Sequence, residues 1–181
     1  MNNKINQLKK EWDKWSKSWN SKEEYEGFIK NYPKENLKNL TLEKYTNIKT
    51  IDSDEYFTHS LERKTENCCT FRTASSYAYG IYKVNPNNIQ DEAEKKNAEN
   101  KYKAYDENMK KSKDYLDENK AKKYFEETVR PIIVALANYA DVGDNHDMVK
   151  TIRPLDINYA RKIAYMYNVD KLIPIFKKEV I

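Results

Sequence analysis

Glycine is scarce in this chain of 181 residues, which contains three: Gly27, Gly80 and Gly143. A phosphate-binding loop of the GxxxxGK[ST] type and a dinucleotide-binding GxGxxG turn both need glycines that lie close together in the sequence. No such grouping exists here. The sequence therefore excludes a P-loop nucleotide hydrolase and a Rossmann-type dinucleotide enzyme.

Cysteines and long apolar runs are few as well. The two cysteines, Cys68 and Cys69, are neighbours, and a bond between neighbours would close a strained small ring, so no disulfide framework is expected. The first residues show no apolar run typical of a signal peptide. The longest apolar stretch, from Ile132 to Ala137, is too short to cross a membrane. We therefore expect a cytoplasmic protein that does not enter a membrane.

Charge is close to balance, with 33 basic and 29 acidic residues and a net charge of +4. Residues 1–50 and 128–181 carry a basic excess, so attraction to a polyanion would be modest and would depend on these two segments. Aromatic residues make up 13% of the chain and include 15 tyrosines, which is too many for a disordered chain. We expect a folded core that is partly amphipathic.

The hydrophobic pattern predicts a mainly helical α+β domain, with a small central sheet or hairpin and a long charged helix. We expect one domain over residues 1–181. It divides into an N-terminal helical segment (1–50), a helix followed by a strand-rich motif (51–90), and long helices with a closing C-terminal helix (91–181).

Helical spacing is clearest in the N-terminal third of the chain. Five apolar residues form one stripe on a first helix: Ile5, Leu8, Trp12, Trp15 and Trp19. The Ser21 and Glu24 pair predicts the start of a second helix, which Pro33 ends. A short helical piece with four core residues follows: Leu37, Leu40, Leu42 and Tyr45. Asp52 or Ser53 then caps a predicted helix that runs to about Thr65.

The chemistry changes from Thr70 to Val84, where β-branched and aromatic residues predict one or two strands, with a hairpin around residues 73–76. Residues 85–88 predict a turn, with Asn88 as a helix cap. The long charged helix is predicted from Ile89 to about Asn119 on alternating charges and a thin apolar stripe.

The last third predicts two further helices. One follows Asn119, and Pro131 either kinks it or makes it begin near Thr128. The other runs from Asp156 to Tyr167, after a polar loop that contains His146.

A metal-dependent nuclease is the enzymatic alternative. Asp52 or Asp54, followed by Glu62 and Lys64, supplies the residue types of such a core. That core needs Glu and Lys on one side of a strand, whereas this segment predicts a helix, which separates them. The two histidines, His59 and His146, lack metal-ligand spacing. We expect no catalysis, no metal and no cofactor.

Nucleic-acid binding is favoured by the residues around the predicted strands. Basic side chains can neutralise phosphates, hydroxyl groups can bond to phosphates or base edges, and tyrosine rings can stack on a base. The candidate phosphate contacts are Arg63, Lys64, Arg72 and Lys83, the candidate hydroxyls are Ser75 and Ser76, and the candidate stacking residues are Tyr77 and Tyr79.

The same region resembles a segment that precedes the AAA+ motor in McrB-like, modification-dependent restriction proteins. The resemblance is carried by Phe57–Thr65, by Ser75–Ser76 and by Gly80–Ile81–Tyr82, with weaker patches at Leu40–Tyr45 and Leu155–Phe176. The chain departs from the family pattern at Cys68–Cys69 and Thr73–Ala74, where the family has glycine-containing turns.

The resemblance implies a non-catalytic target-recognition module of a phage-defence system, which reads DNA bearing modified cytosine. It also implies an AAA+ motor and a nuclease subunit as partners. The alternative is a protein-interaction adaptor in a defence complex, which would use the tryptophan stripe or the long charged helix.

Overall fold

The computed structural model describes residues 21–48, 56–68, 76–138 and 152–169. These residues form a mainly helical fold with one two-stranded antiparallel sheet, which confirms the predicted α+β class. The tryptophan stripe of the first predicted helix lies outside the described residues, as do His146 and the loop around it.

The N-terminal helices follow the sequence pattern closely. Helix α1 (Ser21–Asn31) ends just before Pro33, and a 3-10 turn follows at Lys34–Asn39. Helix α2 (Leu42–Tyr45) begins after Thr41, whose hydroxyl accepts a hydrogen bond from the Lys44 backbone N–H.

Helix α3 (Phe57–Arg63) begins later than its predicted caps would place it. Tyr56 occupies the N-cap position and makes no side-chain capping bond. The predicted caps, Asp52 and Ser53, lie outside the described residues. The helix is held by burial of Phe57 and Leu61, both fully buried, and not by a polar cap.

Among the described residues of the predicted strand region, three form a strand. Strand β1 covers Ile81–Lys83, whereas Ser76–Tyr79 forms a 3-10 turn. Its partner among the described residues, strand β2 (Tyr102–Ala104), lies about twenty residues further along the chain. The strand prediction is therefore wrong for Ser76–Tyr79.

The long charged helix predicted from Ile89 to Asn119 is also wrong. A 3-10 turn at Pro86–Asn88 is capped by Asn85, and helix α4 (Glu92–Ala98) is capped by Asp91, so Asn88 caps no helix. The helix stops where Asn100 adopts a positive φ of 54° and the chain turns into β2.

Pairing on both edges explains why β2 replaces the predicted helix. One edge of Tyr102–Ala104 pairs with β1, and on the other edge Tyr102 forms a bridge with Leu116. The whole strand is buried, including Lys103. These contacts join residues distant in sequence, so they outweigh a local helical pattern.

The helix around Pro131 does not begin near Thr128. Helix α5 (Glu118–Tyr124) continues through a π-helical turn (Phe125–Val129) into helix α6 (Arg130–Ala137). Proline has no N–H to donate and its ring clashes with the carbonyl four residues earlier in a regular helix. The Arg130 N–H bonds to the carbonyl of Phe125, five residues back, so a wider turn precedes the proline.

Helix α7 (Ile157–Met166) begins after Asp156, as predicted, and packs against α6. The core joins these helices to α1–α3 through aromatic rings. Tyr45 lies 5.8 Å from Phe57 and 4.9 Å from Phe125 between ring centroids. Its buried hydroxyl donates to the carbonyl of Tyr79, so the core is amphipathic as expected. Among the described helices, none combines the length and the apolar character that a membrane span requires.

Candidate functional site

Arg63 and Lys64 lie at the C-terminal end of α3, and both are exposed. The Arg63 guanidinium is 3.6 Å from the carboxylate of Glu66. Because more than half of the Arg63 side chain is exposed, this pair is weak and leaves the guanidinium able to contact another anion. The assignment of both residues as phosphate contacts stays a prediction.

Four other predicted residues precede the sheet. Arg72 and Ser75 lie outside the described residues. Ser76 and Tyr77 begin the 3-10 turn Ser76–Tyr79 that leads to β1. Their predicted roles as phosphate, hydroxyl and stacking contacts stay predictions.

Tyr79 is packed on several sides. Its hydroxyl donates to the carboxylate of Glu62, its carbonyl accepts from Tyr45, and its ring centroid is 5.1 Å from that of Tyr159. Burial raises the pKa of the Tyr79 hydroxyl well above its usual value, and the hydrogen bond to Glu62 raises it further. These contacts hold the Tyr79 side chain in place, so Tyr79 is a weaker candidate for stacking on a base than an exposed ring would be.

Tyr79 lines a polar pocket of about 160 Å³ between α3, β1 and the segment after α2. The Lys83 backbone N–H donates to Thr46 Oγ1 at 3.4 Å, which ties β1 to that segment. The pocket is lined by Thr46, Asn47, Tyr56, Thr58, His59, Glu62, Tyr79, Tyr82 and Lys83. It therefore brings together two of the predicted residues, Tyr79 and Lys83.

The sheet places a second group of side chains next to this pocket. Tyr82 of β1 is directly opposite Lys103 of β2, and the Tyr105 ring centroid is 6.3 Å from that of Tyr82 with 31° between the ring planes. Because side chains alternate along a strand, Lys103 and Tyr105 extend from the same side of the sheet as Tyr82. We call this side, with Lys111 and Tyr115 from the loop that follows β2, the Tyr82 face.

Lys111 carries the accessible positive charge of the Tyr82 face. Its Nζ atom is 5.8 Å from the Tyr82 ring centroid, and a hydrogen bond with the Tyr82 side chain raises the pKa of the Lys111 ammonium. Lys111 is exposed, whereas Tyr82 and Tyr105 are half-buried.

Lys103 has a structural position in the same face. Its Nζ atom donates to the carbonyls of Ser112 at 3.1 Å and Lys113 at 2.6 Å, and lies 4.1 Å from the Tyr115 ring centroid. Burial lowers the pKa of the Lys103 ammonium, and the positive charge of Lys111 adds to that effect. Lys103 thus fixes the loop that presents Lys111.

Sequence reasoning missed Lys103, Tyr105 and Lys111 because they lay within the predicted long helix. One local signal marks the turn between the last two. Asp106 Oδ1 accepts hydrogen bonds from the backbone N–H groups of Asn108 and Lys110, which is the turn-forming use of an aspartate. The Asp-x-Asn pattern therefore argues against a continuous helix.

Ion pairs and the grouping of metal-ligand side chains bear on two of the candidate roles, phosphate contact and metal-dependent nuclease. Within the ranges that the structure describes, neither Lys83 nor Lys111 forms an ion pair with a carboxylate, and no three side chains of His, Cys, Asp or Glu are grouped as a metal site requires. Glu62 is helical and faces the pocket, whereas Lys64 follows the end of α3. Asp52 and Asp54 lie outside the described residues.

Comparisons with known proteins give no family assignment. No protein-family model matches the sequence, no curated protein is similar enough to match it, and no solved structure matches the fold. The resemblance to McrB-like restriction proteins stays a prediction. The case for a function therefore depends on the geometry of the pocket and the Tyr82 face.

Proposed function

We propose that this protein is a non-catalytic DNA-binding module that recognises the target of a restriction system, with DNA bearing modified cytosine as its target class. The observation that carries the proposal is the position of four residues on neighbouring surfaces of one small sheet. Tyr82 and Lys83 of β1 lie close to Tyr105 and Lys111, which follow β2. Lysines that form no ion pair with a carboxylate among the described residues can attract phosphates, and partly exposed tyrosine rings offer surfaces on which bases stack.

The binding surface extends from the Tyr82 face to the adjacent pocket. Tyr82 belongs to both, because its ring contacts Tyr105 and also lines the pocket with Lys83. Arg63 and Lys64 at the end of α3 add positive charge beyond the pocket, which Glu62 on the same helix helps to line. An AAA+ motor and a nuclease subunit remain proposed partners on the strength of the resemblance.

The adaptor alternative has lost one of its two supports. It relied on the long charged helix, which the structure replaces with α4, β2 and a loop. Its other support, the tryptophan stripe, lies outside the described residues. We therefore give DNA binding as the proposed function.

Fluorescence anisotropy tests the proposal directly. Labelled duplexes with unmodified and modified cytosine, and their separated strands, are titrated from about 50 mM to about 200 mM salt. The test variant is Lys83→Gln/Lys111→Gln. The matched control is Lys34→Gln/Lys38→Gln, which removes the same charge from two exposed lysines on the 3-10 turn Lys34–Asn39.

We expect DNA binding that weakens with salt. In the test variant, the slope of log K against log salt should fall by about 0.7 to 0.9 for each phosphate that the protein no longer neutralises. The control should retain the slope of the unmodified protein. Absence of binding to every DNA form at the lowest salt would refute the proposal, and Mg²⁺-dependent cleavage of the DNA would refute its non-catalytic part.

A further inference from the structure

The Tyr82 face presents rings in an arrangement that suits unpaired bases. Tyr82 and Tyr105 come from opposite strands of the sheet and lie 6.3 Å apart at 31° between their ring planes. In a duplex, both faces of an internal base are covered by its neighbours, and a protein reaches only the base edges in the grooves. Rings fixed on a sheet can therefore stack only on bases that are unpaired.

Two lysines of this region lie near Tyr82. Lys111 Nζ lies 5.8 Å from the Tyr82 ring centroid, and Lys83 follows Tyr82 along β1 and lines the pocket. A strand whose bases rest on the rings would carry its phosphates at the edge of the sheet, within reach of the exposed Lys111. This is the combination of stacking and positive charge by which single strands are bound.

The supporting contacts make the face rigid before any ligand arrives. The Ser112 N–H donates to the carbonyl of Ala104 at 2.8 Å, and Tyr105 and Lys111 form an antiparallel bridge. Lys103 holds the same loop through its two carbonyl contacts. A surface that is already ordered loses little conformational entropy on binding, which favours affinity.

We propose that the Tyr82 face binds an unpaired DNA strand, with bases stacked on Tyr82 and Tyr105 and phosphates near Lys111. The inference rests on the proposed function and narrows it to one form of DNA. A target of this kind is a locally opened or single-stranded region, and an intact helix would be bound less tightly.

The test compares a labelled, cytosine-containing strand of about 12 nucleotides with its duplex and with an RNA strand of the same sequence. Tyr82→Leu and Tyr105→Leu remove the rings. Tyr82→Phe keeps the ring and removes the hydroxyl that bonds to Lys111. Lys34→Gln/Lys38→Gln serves again as the charge control, and circular dichroism during thermal unfolding shows whether each variant is folded.

We expect the DNA strand to bind more tightly than the duplex or the RNA strand. Each leucine variant should weaken strand binding by about tenfold, whereas Tyr82→Phe should stay within about threefold of the unmodified protein. The retained affinity of Tyr82→Phe distinguishes stacking from a structural role of the hydroxyl. It also keeps the test valid if one leucine variant unfolds.

The outcomes that overturn the inference differ from those that overturn the function. Duplex binding equal to or tighter than strand binding would leave the proposed function standing and refute the inference. Strand binding unaffected in folded leucine variants would also refute it, as would a preference for RNA. Failure of every DNA form to bind would refute both.

Discussion

Gly80 is the residue at which a single methyl group should do the most damage. It joins the 3-10 turn Ser76–Tyr79 to β1 with a positive φ of 73°. A Cβ atom at this position would lie 3.1 Å from Pro154 Cγ, 3.2 Å from Leu155 Cδ2 and 3.3 Å from Val129 Cγ2. Gly80→Ala would therefore combine an unfavourable backbone conformation with contacts closer than ordinary packing distances.

The magnitude follows from these two effects. A left-handed conformation costs a residue with a Cβ atom about 1–2 kcal/mol, and added volume in a packed interior costs about 1–3 kcal/mol. Part of the crowding would be relieved by small shifts of the neighbouring side chains. We expect Gly80→Ala to lower the free energy of unfolding by about 2–4 kcal/mol, or the melting temperature by roughly 4–16 °C.

Gly27→Ala is the matched control, because it is the same substitution in the opposite environment. Gly27 is exposed within α1, and apart from its own helical neighbours no described atom lies within 4 Å of the position that an alanine Cβ would take there. Alanine favours a helix over glycine by about 0.5–1 kcal/mol, so this variant should be more stable than the parent. Urea unfolding followed by circular dichroism measures both. Equal stability of Gly80→Ala and the parent would refute the reasoning.

Two further predictions concern the core. Phe57→Ala removes a fully buried ring that packs between Phe28, at 5.5 Å, and Tyr45, at 5.8 Å, and should lower the free energy of unfolding by about 3–5 kcal/mol in the same urea assay, with Phe57→Leu losing less. Burial raises the pKa of Tyr124 to about 12 and that of Tyr167 further above its usual value. Because the pKa of each of these tyrosines is higher in the folded protein than in the unfolded chain, where it is about 10, the protonated side chain favours the folded state. Its contribution to the free energy of unfolding is complete below pH 10 and is lost as the pH rises towards and beyond 12. Tyrosinate absorbance should then rise together with unfolding, and ionisation of these tyrosines in a protein that stays folded would contradict the assignment.

Helices with a local start or stop signal were predictable from the sequence. Pro33 ends α1 and Asp156 begins α7, because a missing N–H and a capping carboxylate act on the nearest residues. The Ile89–Asn119 segment was not predictable in the same way. Its apolar residues fit a helical stripe, but burial of Tyr102 depends on pairing with β1 and with Leu116, which a local pattern does not contain.

The residues of the candidate site also differ in whether a local sequence pattern could predict them. Lys83 was predicted from a segment that is continuous in sequence, and it does line the pocket. Tyr105 and Lys111 reach Tyr82 only through the β1–β2 register and the turn at Asp106. Local composition could therefore find the β1 half of the surface, and only the long-range pairing could supply the other half.

The β1–β2 register connects the stability of the fold to the proposed function. The Tyr105 N–H donates to the carbonyl of Gly80 at 2.8 Å, and the Val84 N–H donates to the carbonyl of Lys101 at 2.9 Å, so the register is fixed at both ends of β1. A shift of one residue would move Tyr105 to the opposite side of the sheet from Tyr82, because side chains alternate along a strand. The glycine that the turn requires therefore also holds one end of the register that brings the two rings together. Any change that weakens the Gly80 turn should reduce binding of the DNA strand along with stability. Phe57 lies in α3 and not in the sheet, so it can be altered without changing which residues face each other across the sheet.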